Sequence, residues 1–404
     1  MPDLPGAWRR TAQGAGLLSP DGVAAPTVFA EMTALAHHTG AINLGQGFPD
    51  EDGPAEVLDA ARAAISAGEN QYAPGRGVPT LLEAISAHQH RFYGVALDPA
   101  REVLVTAGAT EALAATILAL IDSPEDEVVV FEPYYDAYAA CVALAGARLV
   151  TVPLRFPDFQ PDLGDLARAV TDRTRLILVN DPHNPTGAVF SAEVRAEIVR
   201  LAERRDALIV TDEVYEHLVF GAPHTPIATL PGAAERTLSI SSGGKTFSAT
   251  GWKIGWVTGP APLVDAVLAV KQFLTYVNGT PFQHAIAAGL ALPDAFFTGI
   301  ADTLRSQRDQ LGEGLRTAGF DVSEPAGTYF TVADAAPLLA AGEDAADFCR
   351  GLPERAGVVA IPLTAFASPA NRAEYASLVR FAACKRVEVI AEASARLARL
   401  TSAD

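Results

Sequence analysis

The sequence is 404 residues long, with 49% hydrophobic and 19% charged residues, which provides ample apolar material for two or three domains and excludes a largely disordered chain. Its 48 acidic and 30 basic side chains leave a net charge of −18, so nucleic acid and anionic membrane surfaces are poor partners because the long-range field repels phosphate. Three widely spaced cysteines, Cys141, Cys349 and Cys384, fit neither a disulfide framework nor a zinc cluster and indicate a reducing, cytoplasmic compartment.

The first 26 residues lack the cationic start and the apolar run of a signal peptide. We expect them to form a mobile arm that orders against a partner. A helix is predicted over residues 28–41 and a short strand over residues 42–44. No later window of 18 residues is both apolar and uncharged, which argues against a membrane-spanning helix.

From about residue 100, short apolar runs alternate with helical patterns. The runs are rich in valine, isoleucine and leucine without polar alternation, as in strands buried on both faces of a parallel sheet. Strands are predicted at residues 102–106, 127–131, 148–153, 175–180, 207–212, 237–241 and 253–257, with helices over 110–121, 135–145 and 192–205. After Pro260 the pattern is mainly helical to Arg316. A mixed region over residues 319–381 then predicts a second, α+β domain, which the N-terminal helix joins.

Polar or turn-forming residues follow many of the predicted strands. Open α/β sheets bind ligands beyond the carboxyl ends of their strands, so these positions are candidate site residues. They are Gly108, Glu132, Pro133 and the segments 180–187, 212–215 and 241–245.

Each of these motifs also has an ordinary structural explanation. The small residues from Thr106 to Thr110 would suit a phosphate at a helix start, or would simply form an N-capped helix. Asp212, at the end of a buried strand, could hold a cation in a low dielectric, or could cap a turn. Segment 180–187, with two prolines and a glycine, is a turn that could also present Asn184 rigidly.

Lys245 follows a strand, two serines and two glycines, in a chain with only four lysines. A lysine desolvated beside other cations has a lowered pKa and forms Schiff bases with carbonyl groups. A solvated loop lysine would explain the glycines but not Trp252 and Trp256 around Lys253. A phosphate loop of the Gly-x4-Gly-Lys type would need a glycine at Ser239, so this sequence excludes it.

Together, three motifs resemble those of the class I and II aminotransferases, which are pyridoxal-phosphate enzymes of fold type I. They are Asn-Pro-x-Gly at residues 184–187, Asp-x-x-Tyr at 212–215, and Ser-x-x-Lys at 242–245 with a second lysine eight residues later. Segments 45–50, 70–75 and 378–381 fall in the expected order, and the resemblance covers residues 27–398.

The resemblance implies an α/β fold with two domains. The large, cofactor-binding domain would carry a mainly parallel seven-stranded sheet between helices, and a smaller α+β domain would be built from the two chain ends. We expect an N-terminal arm over residues 1–26, the small domain over 27–60 and 291–404, and the large domain over 61–290.

The resemblance also implies a role for each matching residue. Lys245 would form a Schiff base with pyridoxal 5′-phosphate and then act as general acid and base, while Asp212 would keep the pyridinium nitrogen protonated. The other cofactor contacts would be Gly108, Ala109, Thr110, Tyr135, Asn184, Tyr215, Ser242, Lys253 and, reaching the phosphate of the neighbouring subunit in a homodimer, Tyr72. The substrate contacts would be Gly45, Asn184, Phe29 and Arg380, of which Arg380 would bind the α-carboxylate as a bidentate fork.

The expected reaction is reversible amino transfer between an L-amino acid and a 2-oxo acid, with 2-oxoglutarate and glutamate as one pair. Segments 27–32 and 212–220 are most similar to those of N-succinyldiaminopimelate aminotransferases of lysine biosynthesis. A broad methionine, glutamine or kynurenine aminotransferase is one alternative, and a pyridoxal-phosphate C–S β-lyase is another.

Two further segments bear on the substrate. The loop at residues 276–281, which the partner subunit would contribute, reads Tyr-Val-Asn-Gly-Thr-Pro and favours a roomier, polar site over an aromatic substrate. Arg76 is a candidate for binding a distal carboxylate, although it is equally a loop arginine exposed to solvent. No metal ligands are expected.

Overall fold

The fold is taken from a computed structural model that describes residues 6–19 and 21–402. In this part of the chain, the helices are α1 (Ala7–Gly14), α2 (Val28–Thr39), α3 (Ala55–Ala67), α4 (Pro79–Tyr93), α5 (Gly108–Leu120), α6 (Asp136–Ala145), α7 (Leu163–Ala169), α8 (Ala192–Arg205), α9 (Gly243–Thr246), α10 (Ala261–Lys271), α11 (Thr280–Leu290), α12 (Asp294–Thr317), α13 (Ala345–Ala356) and α14 (Val387–Leu397).

The strands of the same residues form three sheets. They are β1 (Ile42–Asn43), β2 (Val103–Ala107), β3 (Glu127–Glu132), β4 (Arg148–Pro153), β5 (Thr174–Asn180), β6 (Leu208–Asp212), β7 (Thr237–Ser242), β8 (Ile254–Thr258), β9 (Asp321–Val322), β10 (Phe330–Asp334), β11 (Val358–Val359), β12 (Ile361–Pro362) and β13 (Leu378–Ala382).

The central sheet has seven strands in the order β2-β8-β7-β6-β5-β3-β4. Strand β8 runs antiparallel to both of its neighbours, and the other pairings are parallel. The predicted seven-stranded, mainly parallel sheet is therefore confirmed. The antiparallel strand places the beginning of β8 at the same edge as the carboxyl ends of the other six.

Both faces of this sheet are buried. On β3, Val128 and Val130 pack into the hydrophobic cluster that contains residues of α5, α6 and α10. Val129 and Phe131 point the other way, into a cluster that includes α8 and continues into the region of the two smaller sheets. Burial on both faces explains why the strands read as continuous apolar runs without alternation.

The two ends of the chain meet in the smaller sheets. Strand β1 pairs in parallel with β11, with Ile42 opposite Val358, and a four-stranded sheet has the order β12-β13-β10-β9. In that sheet Arg380 of β13 lies opposite Val332 of β10 and Ile361 of β12. The α+β region predicted from the sequence therefore has contributions from both ends.

Helix α1 packs against α6 of its own chain. The Arg10 guanidinium donates hydrogen bonds to the carbonyl oxygens of Ala143 (3.0 Å) and Leu144 (3.1 Å), at the C-terminal end of α6. Gly14 lies so close that a Cβ there would be 2.5 Å from the Cβ of Ala143. The expectation of a mobile arm is thus wrong for residues 7–14, because a glycine permits close helix packing that the sequence pattern did not reveal; residues 1–5 lie outside the described residues.

Within the described residues, no single helix has both the length and the apolar composition needed to cross a bilayer. Helices α11 and α12 meet those criteria only when counted together, and they are bent by 91° at the break between them.

Candidate active site

The side chains at one edge of the central sheet surround a cavity of about 200 Å³. This edge collects the carboxyl ends of β2, β5, β6 and β7 and the beginning of β8. Ten of the residues that the sequence singled out line the cavity together: Gly108, Ala109, Thr110, Tyr135, Asn184, Asp212, Tyr215, Ser242, Lys245 and Lys253. The rule that open α/β sheets bind ligands beyond the carboxyl ends of their strands therefore pointed to a cavity that the structure contains.

One end of the cavity is suited to an anion. Gly108 begins α5 with φ +71°, a backbone conformation that favours glycine. A Cβ on it would lie 3.2 Å from the Lys253 ammonium, so that flexible side chain would have to shift by a few tenths of an ångström. The Lys253 Nζ lies 3.3 Å from the Thr110 hydroxyl, and Ser242 adds a second hydroxyl to the cavity wall. The first N–H groups of a helix have no acceptor within the helix, so cation, hydroxyls and helix dipole converge on one point.

The other end holds a buried carboxylate. Asp212 is 4% exposed, and its Oδ2 accepts a hydrogen bond of 2.7 Å from the Tyr138 hydroxyl. Burial raises the pKa of Asp212 to about 6, while the hydrogen bond from Tyr138 acts in the opposite direction. Among the described residues, no lysine or arginine forms an ion pair with this carboxylate. A ligand that brings a positive charge would therefore find its partner here.

Asn180 connects the backbone of Asp212 to the turn that follows β5. Its side-chain amide donates to the Asp212 carbonyl (2.8 Å), and its Oδ1 accepts from the Asn184 backbone N–H (2.7 Å). The turn chemistry recognised in the sequence is thus present, and it also fixes Asn184 at the cavity wall.

Lys245 lies in the short helix α9, immediately beyond β7. Its Nζ is 3.5 Å from the Gly47 carbonyl oxygen and 5.8 Å from the ring centres of both Tyr215 and Tyr329. Burial lowers the pKa of this amine, which enlarges the uncharged, nucleophilic fraction near neutral pH.

Arg380 lies on the far side of Lys245 in a second cavity, of about 230 Å³, which Phe29 and Tyr135 also line. Its Nη2 donates to the Gly45 carbonyl oxygen (2.7 Å) and its Nη1 to Asn184 Oδ1 (3.1 Å). The residue is 1% exposed, and its Nε has no hydrogen-bond partner among the described residues. A buried guanidinium with unused donor capacity is suited to a carboxylate ligand.

Aromatic rings hold this guanidinium in place. Its central carbon lies 4.0 Å from the Phe330 ring centre, 4.6 Å from that of Phe366 and 5.5 Å from that of Phe29. Burial lowers the pKa of Arg380 to about 10, so the side chain remains a cation at neutral pH. Stacking on flat rings favours the planar arginine over lysine.

Two residues considered from the sequence, Tyr72 and Arg76, line neither cavity. Tyr72 is 83% exposed and contacts the Tyr276 ring at 5.7 Å between ring centres. Arg76 forms an ion pair with Asp265 and donates to the Arg101 carbonyl oxygen, so its guanidinium is engaged within the protein.

Asn278, in the polar loop after α10, has a structural task. Its side-chain amide donates to the carbonyl oxygens of Lys253 (2.8 Å) and Thr106 (3.2 Å). The loop therefore packs beside the anion-binding end of its own chain's cavity.

Sequence reasoning missed Tyr138, Tyr329 and Phe330. Tyr135 immediately precedes α6, and Tyr138 lies three residues later in the first turn of that helix. The two rings meet edge to face at 5.8 Å. The spacing of these tyrosines was the available signal. Tyr329 and Phe330 offered no such signal beyond their place in the mixed region predicted over residues 319–381.

The comparisons with known proteins agree with this arrangement. The family model described as aminotransferase class I and II matches residues 39–396. The chain is 52% identical over 386 residues to the probable N-succinyldiaminopimelate aminotransferase DapC of Mycobacterium tuberculosis. The aligned region covers 93% of this chain and 96% of that protein. It is 37% identical over 376 residues to the methionine aminotransferase of Escherichia coli K12, with the same coverage of both chains.

The fold is likewise similar to solved structures. The structure of N-succinyldiaminopimelate aminotransferase from Mycobacterium tuberculosis superposes with a TM-score of 0.89 at 52% identity, covering 93% of this chain and 97% of that one.

Proposed function

Since the chain belongs to the class I and II aminotransferase family and is an aminotransferase, we propose that it binds pyridoxal 5′-phosphate and moves the amino group of an N-acylated, dicarboxylic diamino acid to 2-oxoglutarate. The family depends on pyridoxal phosphate, and N-succinyldiaminopimelate is the proposed donor, because the M. tuberculosis relative carries that name. The single observation that carries the proposal is the convergence of Lys245, Asp212 and Arg380 on adjoining cavities.

The donor set fits the cofactor. Lys253, Thr110, Ser242 and the start of α5 would hold the phosphate. Asp212, buried without a cationic side chain, would pair with the protonated ring nitrogen. When bound, the cofactor supplies an electron-withdrawing ring that stabilises negative charge at the substrate Cα.

Residues of the protein would bind the substrate, transfer the proton and hold the cofactor ring. The Arg380 guanidinium binds the substrate α-carboxylate and orients the Cα–H bond toward the amine of Lys245. Lys245 is the residue proposed to bind the cofactor covalently; once free, its Nζ takes the proton from the substrate Cα and later returns a proton. The Tyr215 hydroxyl and Asn184 amide would hydrogen-bond the ring of the cofactor, and Tyr135 would cover one of its faces.

The space beyond the substrate α-carboxylate favours a long, polar donor. A cavity of about 500 Å³ lies next to Phe29, under the chain that leads from α1 into α2. Arg350 and Arg372 line it together with Glu31, Asp136 and Asp344, and Arg350 is ion-paired with Glu31. Phe29 lines both this cavity and the one that contains Arg380, so a substrate bound by its α-carboxylate would extend a long, polar end past this ring.

A panel of amino donors tests the proposed substrate. Purified enzyme is assayed with 2-oxoglutarate and, in turn, N-succinyldiaminopimelate, methionine, glutamine and kynurenine. The succinylated donor is expected to have the highest kcat/KM. A higher value for methionine, glutamine or kynurenine would contradict the substrate but not the reaction. Release of pyruvate and ammonia from cystathionine without an oxo acid would instead identify a C–S lyase.

Replacing Arg380 with lysine is expected to lower kcat/KM about 100-fold for every amino donor. Lysine keeps the charge but loses the bidentate fork and the aromatic stacking, and a charge-assisted pair of this kind contributes about 3 kcal/mol. Steady-state kinetics measure the loss. The control is Arg386→Lys, which alters an exposed arginine on the same segment. An unchanged kcat/KM in Arg380→Lys would remove this residue from the substrate site.

We also propose a homodimer. Four large apolar side chains, Tyr72, Phe273, Leu274 and Tyr276, are between 47% and 84% exposed; we call them the aromatic patch. Their segments are joined by the Lys271 ammonium, which donates to the carbonyl oxygens of Gly75 and Tyr276. Exposed apolar patches of this kind mark protein interfaces, and a second copy seated here would bring its Tyr72 close to the anion-binding end of the cavity.

Replacing Phe273 with glutamate is expected to convert the dimer to a monomer, because a charge would be buried without a partner at the interface. Light scattering during size-exclusion chromatography measures the mass of the particle. Val387→Glu, at an apolar side chain that is 48% exposed elsewhere, is the matched control and should remain dimeric. A wild-type monomer, or a dimeric Phe273→Glu variant, would contradict the proposed interface.

A further inference from the structure

Three buried side chains behind the catalytic cavity point at one another. His88 on α4 and Glu216 and His217 in the turn after β6 each offer a ligand atom, and these atoms all lie within 4.8 Å of one another. The two imidazole Nε2 atoms are 2.7 Å apart. The exposed fractions are 2% for His88, 3% for Glu216 and 8% for His217, and none of the three lines the cavities described above.

The carboxylate in this cluster lacks a compensating charge. Glu216 accepts hydrogen bonds from the Ser241 hydroxyl (2.6 Å) and, weakly, from the Gln89 amide (3.5 Å), and it also forms a hydrogen bond with the Tyr93 hydroxyl. No lysine or arginine in the described part of the chain forms an ion pair with it, and the nearby His224 is paired with Glu213 instead. A buried carboxylate without an ion-pair partner is costly, so a positive charge placed among these three side chains would be favourable.

The two histidines are suited to supply nitrogen ligands. Burial lowers the pKa of both His88 and His217, and a neutral imidazole presents a lone pair. Two histidines and one glutamate form a known ligand set for zinc, with Zn–N distances of about 2.0–2.1 Å. Two nitrogens on one tetrahedral ion would then be about 3.3 Å apart, so small ring rotations that open the present contact would admit the ion.

We propose that His88, Glu216 and His217 bind a zinc ion that ties α4 to the turn carrying Tyr215. The site lies directly behind the catalytic cavity, because Glu216 follows Tyr215 in the chain and its partner Ser241 precedes Ser242. The ion has a structural role: it neutralises the Glu216 carboxylate and fixes the turn that positions the Tyr215 hydroxyl. The alternative occupant is a proton shared by the two imidazoles.

Metal analysis of the tag-free holoenzyme, grown with added zinc and dialysed against metal-free buffer, tests this site. Mass spectrometry of the elements is expected to find about one zinc per chain in the wild type and less than about 0.1 in His88→Gln and His217→Gln. The matched control is His90→Gln, which removes an exposed histidine two residues away on the same helix and should keep its zinc.

A second readout does not depend on the variants folding. After removal of zinc by a chelator, cobalt(II) added to the wild-type holoenzyme is expected to give a tetrahedral visible spectrum. Chelation is also expected to lower the Tm of the wild type and of His90→Gln by about 2 °C or more. A zinc-free wild type that shows no cobalt spectrum and no change in Tm would overturn the proposal and leave the shared proton as the occupant.

Discussion

Replacing Lys245 with alanine is expected to lower kcat by at least about 10⁴-fold, because one side chain acts as both the nucleophile and the general acid and base. Transamination assays measure the loss. Borohydride reduction of the wild-type holoenzyme followed by peptide mapping should find the cofactor fixed at residue 245. The other three lysines, Lys253, Lys271 and Lys385, should stay unlabelled.

The Lys245→Arg variant, tested in the same experiment, distinguishes the positive charge of the lysine side chain from its ability to act as a nucleophile and a base. Arginine keeps the cation beside the Gly47 carbonyl oxygen, but it cannot lose its proton near neutral pH. We therefore expect it to be as inactive as the alanine variant while the fold is retained. Substantial turnover in either variant, or a label on another lysine, would contradict the mechanism.

Replacing Asp212 with asparagine is expected to lower kcat about 100-fold or more. The amide has nearly the same shape, but it cannot stabilise a cationic ring nitrogen, and breaking a buried charged pair costs about 3–5 kcal/mol. Steady-state kinetics and a cofactor-binding titration measure the two consequences. Wild-type kcat with weakened binding alone would show that the carboxylate anchors the cofactor without taking part in the chemistry.

Tyr138→Phe tests the same carboxylate more gently. Its hydroxyl stabilises the charged form of Asp212, so its removal should raise the carboxyl pKa further above about 6. In the cofactor-free protein the ionised fraction of Asp212 near neutral pH then falls, and the acid limb of the pH profile of cofactor binding should move to higher pH by about one unit. Tyr375→Phe removes a buried hydroxyl bonded only to backbone carbonyl oxygens and should leave the limb in place.

The sequence predicted the architecture well, since apolar runs buried on both faces leave a strong signal. It could not show that β8 runs antiparallel to its neighbours. That reversal brings Lys253, which precedes β8, beside Gly108 at the end of β2. From the motifs alone, Lys253 was one lysine in a glycine-rich segment, and its place in the cavity followed only from resemblance to the family.

The sequence could not predict side-chain contacts between residues that lie far apart in the chain. Arg76 read as a free loop arginine because its partner, Asp265, is 189 positions away. The sequence pattern placed Tyr138 among the apolar residues of a predicted helix, but its hydroxyl donates a hydrogen bond to Asp212. His88 and His217 are separated by 129 positions, and no local motif joins them. Side-chain pairs of this kind depend on how helices pack on the sheet, and local patterns carry no information about that packing.

The pairing of the two chain ends has a consequence for synthesis on the ribosome. The sheet edge that would hold the cofactor is complete once β8 has left the exit tunnel, but β1 must wait for β11, and Arg380 follows later still, in β13. A nascent chain can therefore form the cofactor cavity well before Arg380 is available to bind a substrate carboxylate. Translation that stops early would release a polypeptide with a vitamin-binding cleft and no means of selecting an amino acid.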